Sequence, residues 1–197
     1  MNHLFYSKYH LILLTAAWLV GCTTTRQGAE AYFKSGSIKS QQGNYKGAMK
    51  DFGRVIKINP RYAKAYLGRS NIKYNLKNYQ GAIEDCSTAI RLNPDLADAY
   101  FNLGISYYEL KKYKKAVEEF NRSIQRRSKD AEAYYLRGKA KMRLGDTPGA
   151  CNDWQKAIEM SYTQAAEMQQ KYCTDAPKKA KMLEEAPAQV REVRDNE

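Results

Sequence analysis

The residues most able to do chemistry in this chain are its cysteines and histidines, and there are few of them. The 197-residue sequence contains four cysteines and two histidines. Cys86, Cys151 and Cys173 are far apart and form no C-x-x-C pair of the kind that holds zinc. No glycine-rich phosphate loop and no nucleophile motif is found either. The sequence therefore predicts no catalytic residue, no metal site and no cofactor, and the chain is not expected to be an enzyme.

The remaining cysteine, Cys22, ends a short apolar segment. Lys8 and polar neighbours precede the apolar run 11–20, which is too short to span a bilayer. The run ends in Leu-Val-Gly-Cys at 19–22 and resembles a bacterial lipoprotein signal, in which cleavage occurs directly before a cysteine that is lipidated. This resemblance implies a signal peptide over 1–21 and a lipidated linker over 22–28. An ordinary amphipathic or anchor helix with a chance cysteine is the alternative.

Processing before Cys22 would change both the chemistry and the location of the chain. It would remove His3 and His10, so no histidine would remain to act as a general base. Acyl chains on Cys22 would hold the protein on a membrane, since each buried methylene contributes about 0.8 kcal/mol. Thr23, rather than an aspartate, follows the cysteine. By resemblance to Gram-negative lipoproteins, this implies the bacterial outer membrane, with the protein facing the periplasm.

A period of 34 residues organises the rest of the chain. Each segment carries a tyrosine three positions after its start and an alanine nineteen positions after it. Apolar residues recur at i, i+3, i+4 and i+7, which is the spacing of one helix face. Turn signals at 43–44 and 145–146 divide a segment in two. Four helix-turn-helix segments are therefore predicted, and they begin at Ala29, Ala63, Ala97 and Ala131.

Over 29–162 these segments resemble the tetratricopeptide repeat family. The resemblance implies an all-α fold, a right-handed helical-hairpin solenoid of four repeats plus a C-terminal capping helix. The cap is predicted over 163–173, where Ala165, Met168 and Tyr172 form an apolar stripe, because an uncovered terminal repeat would expose its interface. The mixed charge and few large apolar residues of 174–197 predict a disordered tail.

Several charged residues depart from the family pattern. The family prefers leucine or tyrosine at the positions of Arg69, Lys73, Arg137 and Lys141. Long basic side chains can lay their stems over apolar neighbours while the charge reaches water, so the charges of these four are expected to be exposed. Carboxylates of the second helices, such as Asp51, Glu84 and Asp85, are likewise expected to be solvated.

Each repeat begins with a first helix, and a second face of that helix is the predicted binding surface. Its residues are offset from the buried stripe by one position, or about 100° around the helix, and in the family they face the concave groove. The alternative is that they only complete packing between repeats. The predicted groove residues are Phe33, Leu67, Asn71, Tyr74, Phe101, Asn102, Ile105, Tyr108, Tyr135 and Met142.

Asn71 and Asn102 match positions where relatives hydrogen-bond the backbone of an extended peptide. Relatives that capture a C-terminal carboxylate place cations around such asparagines. The matching residues here are Leu67, Glu132 and Leu136. Because these cations are absent, the sequence favours an internal peptide segment or a helix as the ligand, bound mainly by apolar contact. Two solvated asparagines are the alternative.

Basic residues form a second candidate surface. The formal net charge is +12, and basic residues cluster at 111–115 and 122–129. Such a run is either a solvated edge or a contact for anionic headgroups, surface polysaccharide or an acidic partner. Nucleic acid is not an expected partner of an exported lipoprotein.

These features predict a lipid-anchored protein-protein interaction scaffold of the bacterial envelope, whose groove binds a peptide or protein segment. The partner would be an envelope protein or peptide, and the membrane would be reached through the lipid on Cys22. The alternative is a pilotin-like or pilus-biogenesis lipoprotein that assists assembly of an outer-membrane secretin. The sequence predicts no oligomeric state.

Cys151 and Cys173 are candidates for a disulfide. Their midpoint is residue 162, in a predicted turn between antiparallel helices, so the two positions are level. Export would place them in an oxidising compartment, where the bond would persist. Two packed thiols that never bond are the alternative. Cys86 shares a repeat position with Phe52 and Phe120 and is expected to be a buried, inert thiol.

The lipoprotein signal generates a direct test. The mature native protein should begin at an acylated Cys22, and mass spectrometry of its N-terminal peptide should show the added lipid. Cys22→Ala should leave an unprocessed or soluble species. A mature chain that retains His3 and His10 without modification would contradict this prediction.

Overall fold

The computed structural model describes residues 27–173, so the predicted signal 1–21, Cys22 and the predicted tail 174–197 lie outside the described residues. All regular secondary structure within 27–173 is α-helical. None of these helices is long and apolar enough to cross a membrane. In chain order they are α1 (27–41), α2 (Tyr45–Ile58), α3 (Ala63–Asn75), α4 (Tyr79–Leu92), α5 (Ala97–Glu109), α6 (Tyr113–Arg126), α7 (Ala131–Arg143), α8 (Thr147–Glu159) and α9 (Thr163–Cys173). The predicted all-α fold of consecutive helical hairpins is confirmed.

The turn inside each hairpin uses the same backbone conformation in all four repeats. In each turn one residue has a positive φ. This is the left-handed backbone conformation that commonly ends an α-helix. Glycine adopts it without steric cost, but two of the four residues are lysines, which do not share that freedom. The φ values are 74° at Gly43, 59° at Lys77, 58° at Lys111 and 81° at Gly145.

Side-chain caps begin three of the four second helices. In each case an Asn or Asp side chain accepts a hydrogen bond from the backbone N–H of a glycine three residues later, which satisfies a donor that the helix leaves unpaired. These pairs are Asn44 with Gly47, Asn78 with Gly81, and Asp146 with Gly149. Lys112 replaces the capping residue before α6, which begins without a side-chain cap.

The described chain forms two compact units, and the boundary between them falls after Ser106, within α5. Each unit contains a cluster of buried residues in which small alanines lie around one large aromatic ring. In the first unit that ring belongs to Phe52, and in the second to Trp154. The surrounding buried residues are Ala29, Ala48, Val55, Ala65 and Ile72 in the first core and Ala150, Ala157 and Ala165 in the second.

Glycine allows these large rings to approach a helix backbone. A Cβ atom added to Gly138 would lie 2.6 Å from Nε1 of Trp154, and one added to Gly68 would lie 2.6 Å from Cζ of Phe52. Both distances are too short for packed atoms. The close approach of paired helices therefore depends on the absence of a side chain at these two positions.

The last helix, α9, covers the apolar end of the second core. Ala165 is fully buried, and Met168 and Tyr172 pack against the core as the sequence predicts. The rings of Trp154 and Tyr172 have centroids 5.9 Å apart. Cys151 and Cys173 are joined as a disulfide, with their Cα atoms 5.8 Å apart. The cap is therefore held by apolar packing and by a covalent link to α8.

The disulfide can be tested in solution by counting thiols. After denaturation without reductant, we expect Cys86 to be the one thiol that reacts, apart from any signal from Cys22. The bond closes a loop across a sequence separation of 22 residues. In the chain-entropy model such a loop stabilises the fold by about 3 kcal/mol. Urea unfolding with and without reductant should reveal this difference. Reaction of Cys86, Cys151 and Cys173 together would contradict the bond.

Candidate protein-binding surface

The predicted groove residues lie on the first helices α1, α3, α5 and α7, and none of them is fully buried. Asn71 is exposed, and the others are half-buried. The structure distributes them over the two units. The first unit contains Phe33, Leu67, Asn71, Tyr74, Phe101, Asn102 and Ile105, and the second contains Tyr108, Tyr135 and Met142. Half-burial means that these side chains pack against the protein and still present area to a partner.

Packing between repeats accounts for part of this surface. The ring of Phe33 lies 5.7 Å from that of Phe52 and 5.2 Å from that of Tyr62, which precedes α3. The hydroxyl of Tyr62 donates a 2.6 Å hydrogen bond to Glu30. Burial, together with this carboxylate, raises the pKa of Tyr62 to about 12. Phe33 therefore joins the first repeat to the second, as well as contributing to the outer face.

Asn71 and Asn102 meet on the surface of the first unit. The amide NH₂ of Asn102 donates a hydrogen bond to the side-chain oxygen of Asn71, which links α3 to α5. Beyond this bond, the NH₂ of Asn71 can donate and the side-chain oxygen of Asn102 can accept. The pair thus offers one donor and one acceptor side by side. This is the complement of a peptide backbone, which presents a C=O and an N–H.

Pairs of tyrosines bridge the turns of the second and third repeats. Tyr74 and Tyr79 have ring centroids 5.5 Å apart, and Tyr108 and Tyr113 have centroids 5.4 Å apart. Each pair joins the end of a first helix to the start of the second helix. Tyr74 and Tyr108 are thereby held in place by aromatic contact, which is worth about 1 kcal/mol beyond burial.

In the second unit the predicted residue Tyr135 adjoins a cation that the sequence analysis did not identify. The ring of Tyr135 packs 5.2 Å from that of Tyr162. Lys139, one helical turn further along α7, places its Nζ 5.5 Å from the Tyr135 ring centroid and 5.4 Å from that of Tyr108. The i, i+4 spacing from Tyr135 was the available signal for Lys139. Met142 packs against the core of this unit.

The predicted exposure of the charges on Arg69 and Lys73 is wrong. Arg69 donates to both carboxylate oxygens of Asp85, over 2.8 and 2.6 Å, and Lys73 approaches the same carboxylate to 2.8 Å. Asp85 was expected to be solvated and is instead only 4% exposed. A buried carboxylate is costly unless it is paired, and the two cations of α3 supply the pairing.

The fourth repeat forms the same ion pairs. Arg137 donates to Asp153 over 2.9 and 2.5 Å, and Lys141 lies 2.9 Å from this carboxylate. Asp153 is 1% exposed, so the predicted exposure of the charges on Arg137 and Lys141 is wrong as well. In both repeats an arginine and a lysine stand sixteen and twelve residues before the aspartate. The joint recurrence of these three residue types was the signal in the sequence.

The first repeat uses a reduced form of this arrangement. Asp51, also predicted to be solvated, is 2% exposed and accepts hydrogen bonds from Ser35 over 2.7 Å and Lys39 over 2.5 Å. Burial acts to raise the pKa of Asp51. The hydrogen bonds from Lys39 and Ser35, together with the charges of Lys39 and Arg54, outweigh burial and hold this pKa below its usual range.

The third repeat lacks the cations but keeps an acid. Leu103 and Tyr107 occupy the positions of the arginine and the lysine, and Glu119 replaces the aspartate. Glu119 is 6% exposed, and one oxygen accepts a 2.8 Å hydrogen bond from Arg122. Its other oxygen, Oε2, is buried without a hydrogen-bond partner among the described residues. Burial raises the pKa of Glu119, and Arg122 offsets this only in part.

Cys86 is buried and free, as the sequence predicts. Burial raises the pKa of its thiol to about 12, so the nucleophilic thiolate is scarce at neutral pH. Among residues 27–173 no group of three or more His, Cys, Asp or Glu side chains is placed to hold a metal ion.

The basic residues at 111–115 and 122–129, together called the basic edge, divide into two parts. Lys111, Lys112, Lys114 and Lys115 are exposed around the turn before α6. In the second part, Arg122 pairs with Glu119, and Arg127 lies 2.5 Å from Asp130. The lysines of the turn therefore retain more uncompensated charge than the arginines that follow.

Comparison with protein families identifies the class of this chain. Models described as tetratricopeptide repeats match residues 29–62, 70–111, 106–145 and 132–160. Together they cover well over half of the sequence, so the chain belongs to the tetratricopeptide repeat family. This repeat fold is generally a non-enzymatic scaffold for protein interactions. No curated protein matches the chain in sequence.

Solved structures share the same fold. MamA has a TM-score of 0.65 and 24% identity, over 77% of this chain and 88% of its own. The first tetratricopeptide repeat domain of Spaghetti (RPAP3), bound to the HSP90 peptide SRMEEVD, has a TM-score of 0.59 and 24% identity, over 60% and 94%. The Arabidopsis OM64 repeat domain has a TM-score of 0.59 and 20% identity, over 60% and 98%. At these identities the likeness establishes the fold alone.

The acids of the second and third repeats generate opposite predictions for matched substitutions. Asp85→Asn should destabilise the fold by about 3 kcal/mol, near the lower end for a broken buried pair, because Arg69 and Lys73 remain partly exposed. Glu119→Gln should instead stabilise it by about 1 kcal/mol at neutral pH, since it removes a poorly paired buried charge. Urea unfolding measures both changes. The same sign for both substitutions would contradict the assignment of Asp85 as a well-paired and Glu119 as a poorly paired buried charge.

The effect of Glu119→Gln should also depend on pH. Because the pKa of Glu119 is higher in the folded chain than in the unfolded chain, its protonated form favours folding. That contribution is complete below the unfolded pKa of about 4.3 and is lost as the pH rises through the folded value. The stability gained by the substitution should therefore be largest near pH 7 and shrink towards pH 4.

Proposed function

We propose that this chain is a lipid-anchored interaction scaffold of the bacterial envelope, which binds a peptide or protein segment through the predicted groove residues of its first helices. The observation that carries the proposal is the Asn71–Asn102 pair, which offers a backbone-like donor and acceptor on an exposed surface. Half-buried apolar residues lie on the same helices, with Leu67 on α3 and Phe101 on α5.

A bound segment would gain specificity from two kinds of contact. The asparagines would fix its backbone, and the apolar and aromatic side chains would bury its alternate residues. The similar Spaghetti repeat domain is bound to the peptide SRMEEVD, which supports a peptide as the class of ligand. Leu67 stands where a carboxylate-binding relative carries a cation, so this part of the surface suits an internal segment.

The envelope location rests on the sequence around Cys22. The apolar run 11–20 and the small residue before the cysteine support export and lipidation. A lipid on Cys22 would keep the binding surface near the membrane and raise its effective concentration for partners there. The scaffold would then act by holding an envelope protein in place.

Site-specific crosslinking tests the binding surface. A photoreactive phenylalanine analogue at position 101 should capture a defined partner in intact cells, whereas the same analogue at position 50, exposed on α2, should not. Asn71→Ala combined with Asn102→Ala should weaken this capture by about 1–3 kcal/mol, the range typical of interface anchors. Circular dichroism should show nearly unchanged helicity.

The basic edge is the alternative binding site that the same experiment tests. Capture that survives the asparagine substitutions but disappears when the lysines of 111–115 are changed to glutamate would contradict the proposed surface. The basic edge would then be the binding site. Ile38→Ala, which alters an apolar residue that is 44% exposed on α1, is a matched control and should leave capture unchanged.

A further inference from the structure

A cavity of about 300 Å³ lies within the second unit. The end of α5, the outer face of α7 and the capping helix α9 supply its walls. Met168 and Tyr172, the two residues from α9, are held in place by core packing and by the neighbouring disulfide at Cys173. The lining residues are Tyr108, Lys139, Met142, Arg143, Met168 and Tyr172.

Helix α7 carries two pairs of cations. One pair binds a buried carboxylate, and the other binds no carboxylate among residues 27–173. Arg137 and Lys141 are one turn apart and bind the buried carboxylate of Asp153. Lys139 and Arg143 are also one turn apart, but two residues further on, which places them about 200° around the helix. Across residues 27–173, neither of them forms an ion pair with a carboxylate. The cavity therefore contains two like charges that no carboxylate of residues 27–173 pairs.

The geometry around these cations suits an anion. Lys139 lies against the rings of Tyr108 and Tyr135 rather than against an acid. The neighbouring Tyr108 raises the pKa of the Arg143 guanidinium, and the hydroxyl of this tyrosine can itself donate a hydrogen bond. A guanidinium matches a carboxylate in a bidentate fork. An ammonium, a guanidinium and a phenol thus converge on one cavity.

The other walls are apolar. Met142, Met168 and the ring of Tyr172 would contact the carbon atoms of a ligand, and methionine side chains adapt readily to different shapes. A volume of about 300 Å³ is at the small end of ligand sites. It accommodates one or two side chains, not a folded domain. The cavity therefore combines one anionic subsite with a small apolar subsite.

We propose that this cavity binds a carboxylate of an acidic peptide segment, with an adjoining apolar side chain packed on Met142, Met168 and Tyr172. The inference rests on the proposed peptide-binding function and adds the chemical class of the ligand. The cations differ in position from those of carboxylate-binding relatives, whose matching residues here are Leu67, Glu132 and Leu136. Recognition of an acid is therefore located at the capped end of the repeats.

Two matched probes test the proposal on the full chain. One is the peptide acetyl-Leu-Asp-Leu-amide, and the other is acetyl-Leu-Asn-Leu-amide, which has nearly the same shape without the charge. NMR titration at low salt should show the acidic peptide binding at least about tenfold more tightly, as expected for a charge-assisted contact. The shifted signals should include Lys139, Met168 and Tyr172, and added salt should weaken binding.

Substitutions identify the groups responsible. Lys139→Gln combined with Arg143→Gln should abolish the preference for the acidic peptide, and Arg143→Lys should reduce it, since it keeps the charge but loses the fork. Lys46→Gln combined with Lys50→Gln is the matched control. It removes two cations of the same i, i+4 spacing from the exposed face of α2, and it should leave the preference intact.

Three outcomes would overturn the inference. They are equal binding of the two peptides, equal binding by wild type and the Lys139/Arg143 variant, and a response to inorganic phosphate or anionic vesicles but not to the acidic peptide. The first two would leave the crosslinking at position 101 unaffected, so the scaffold function could stand while the acidic subsite failed. Loss of that crosslink with a retained preference for the acidic peptide would instead contradict the proposed surface alone.

Discussion

The buried carboxylates between paired helices set the orientation of the first helices. Asp85 and Asp153 lie in the contact between a first and a second helix, where an unpaired charge would be strongly unfavourable. The arginine and lysine that bind each of them are one turn apart on the first helix, so this face must turn towards the second helix. Residues two positions further on must then face away. Asn71 in the second repeat and Lys139 in the fourth lie at that outward position.

The third repeat shows what happens when this pairing is absent. Leu103 and Tyr107 replace the cations at the corresponding positions. Glu119 remains at the acid position and is left with Arg122, whose side chain is 55% exposed, as its main partner. The repeat still folds because its alanines and Phe120 supply the same packing as elsewhere. In a repeat array each interface contributes separately, so one weak electrostatic contact is tolerated.

The outward faces of the two units differ in chemistry. The first unit presents neutral hydrogen-bonding groups, since Asn71 and Asn102 bind each other and retain a donor and an acceptor. The second presents cations among aromatic rings and methionines, around Lys139 and Arg143. A neutral pair recognises the backbone of a ligand, whereas a cation pair selects for charge. In the proposed function, recognition is therefore distributed by repeat, while the scaffold beneath it is nearly constant.

The sequence by itself determined the fold of the repeats, because helices, turns and the apolar stripe of α9 depend on residues that are close in the chain. The 34-residue period, the turns at Gly43 and Gly145 and the packing of Met168 and Tyr172 all follow from such local patterns. Only the tertiary structure decided which charges are buried. Arg69 and Arg137 were expected to reach water, since an arginine alone does not reveal an acid sixteen residues away on another helix. For the same reason, two features required the three-dimensional arrangement of α7, α8 and α9. They are the bond between Cys151 and Cys173, and the lack of a carboxylate partner for Lys139 and Arg143 among residues 27–173.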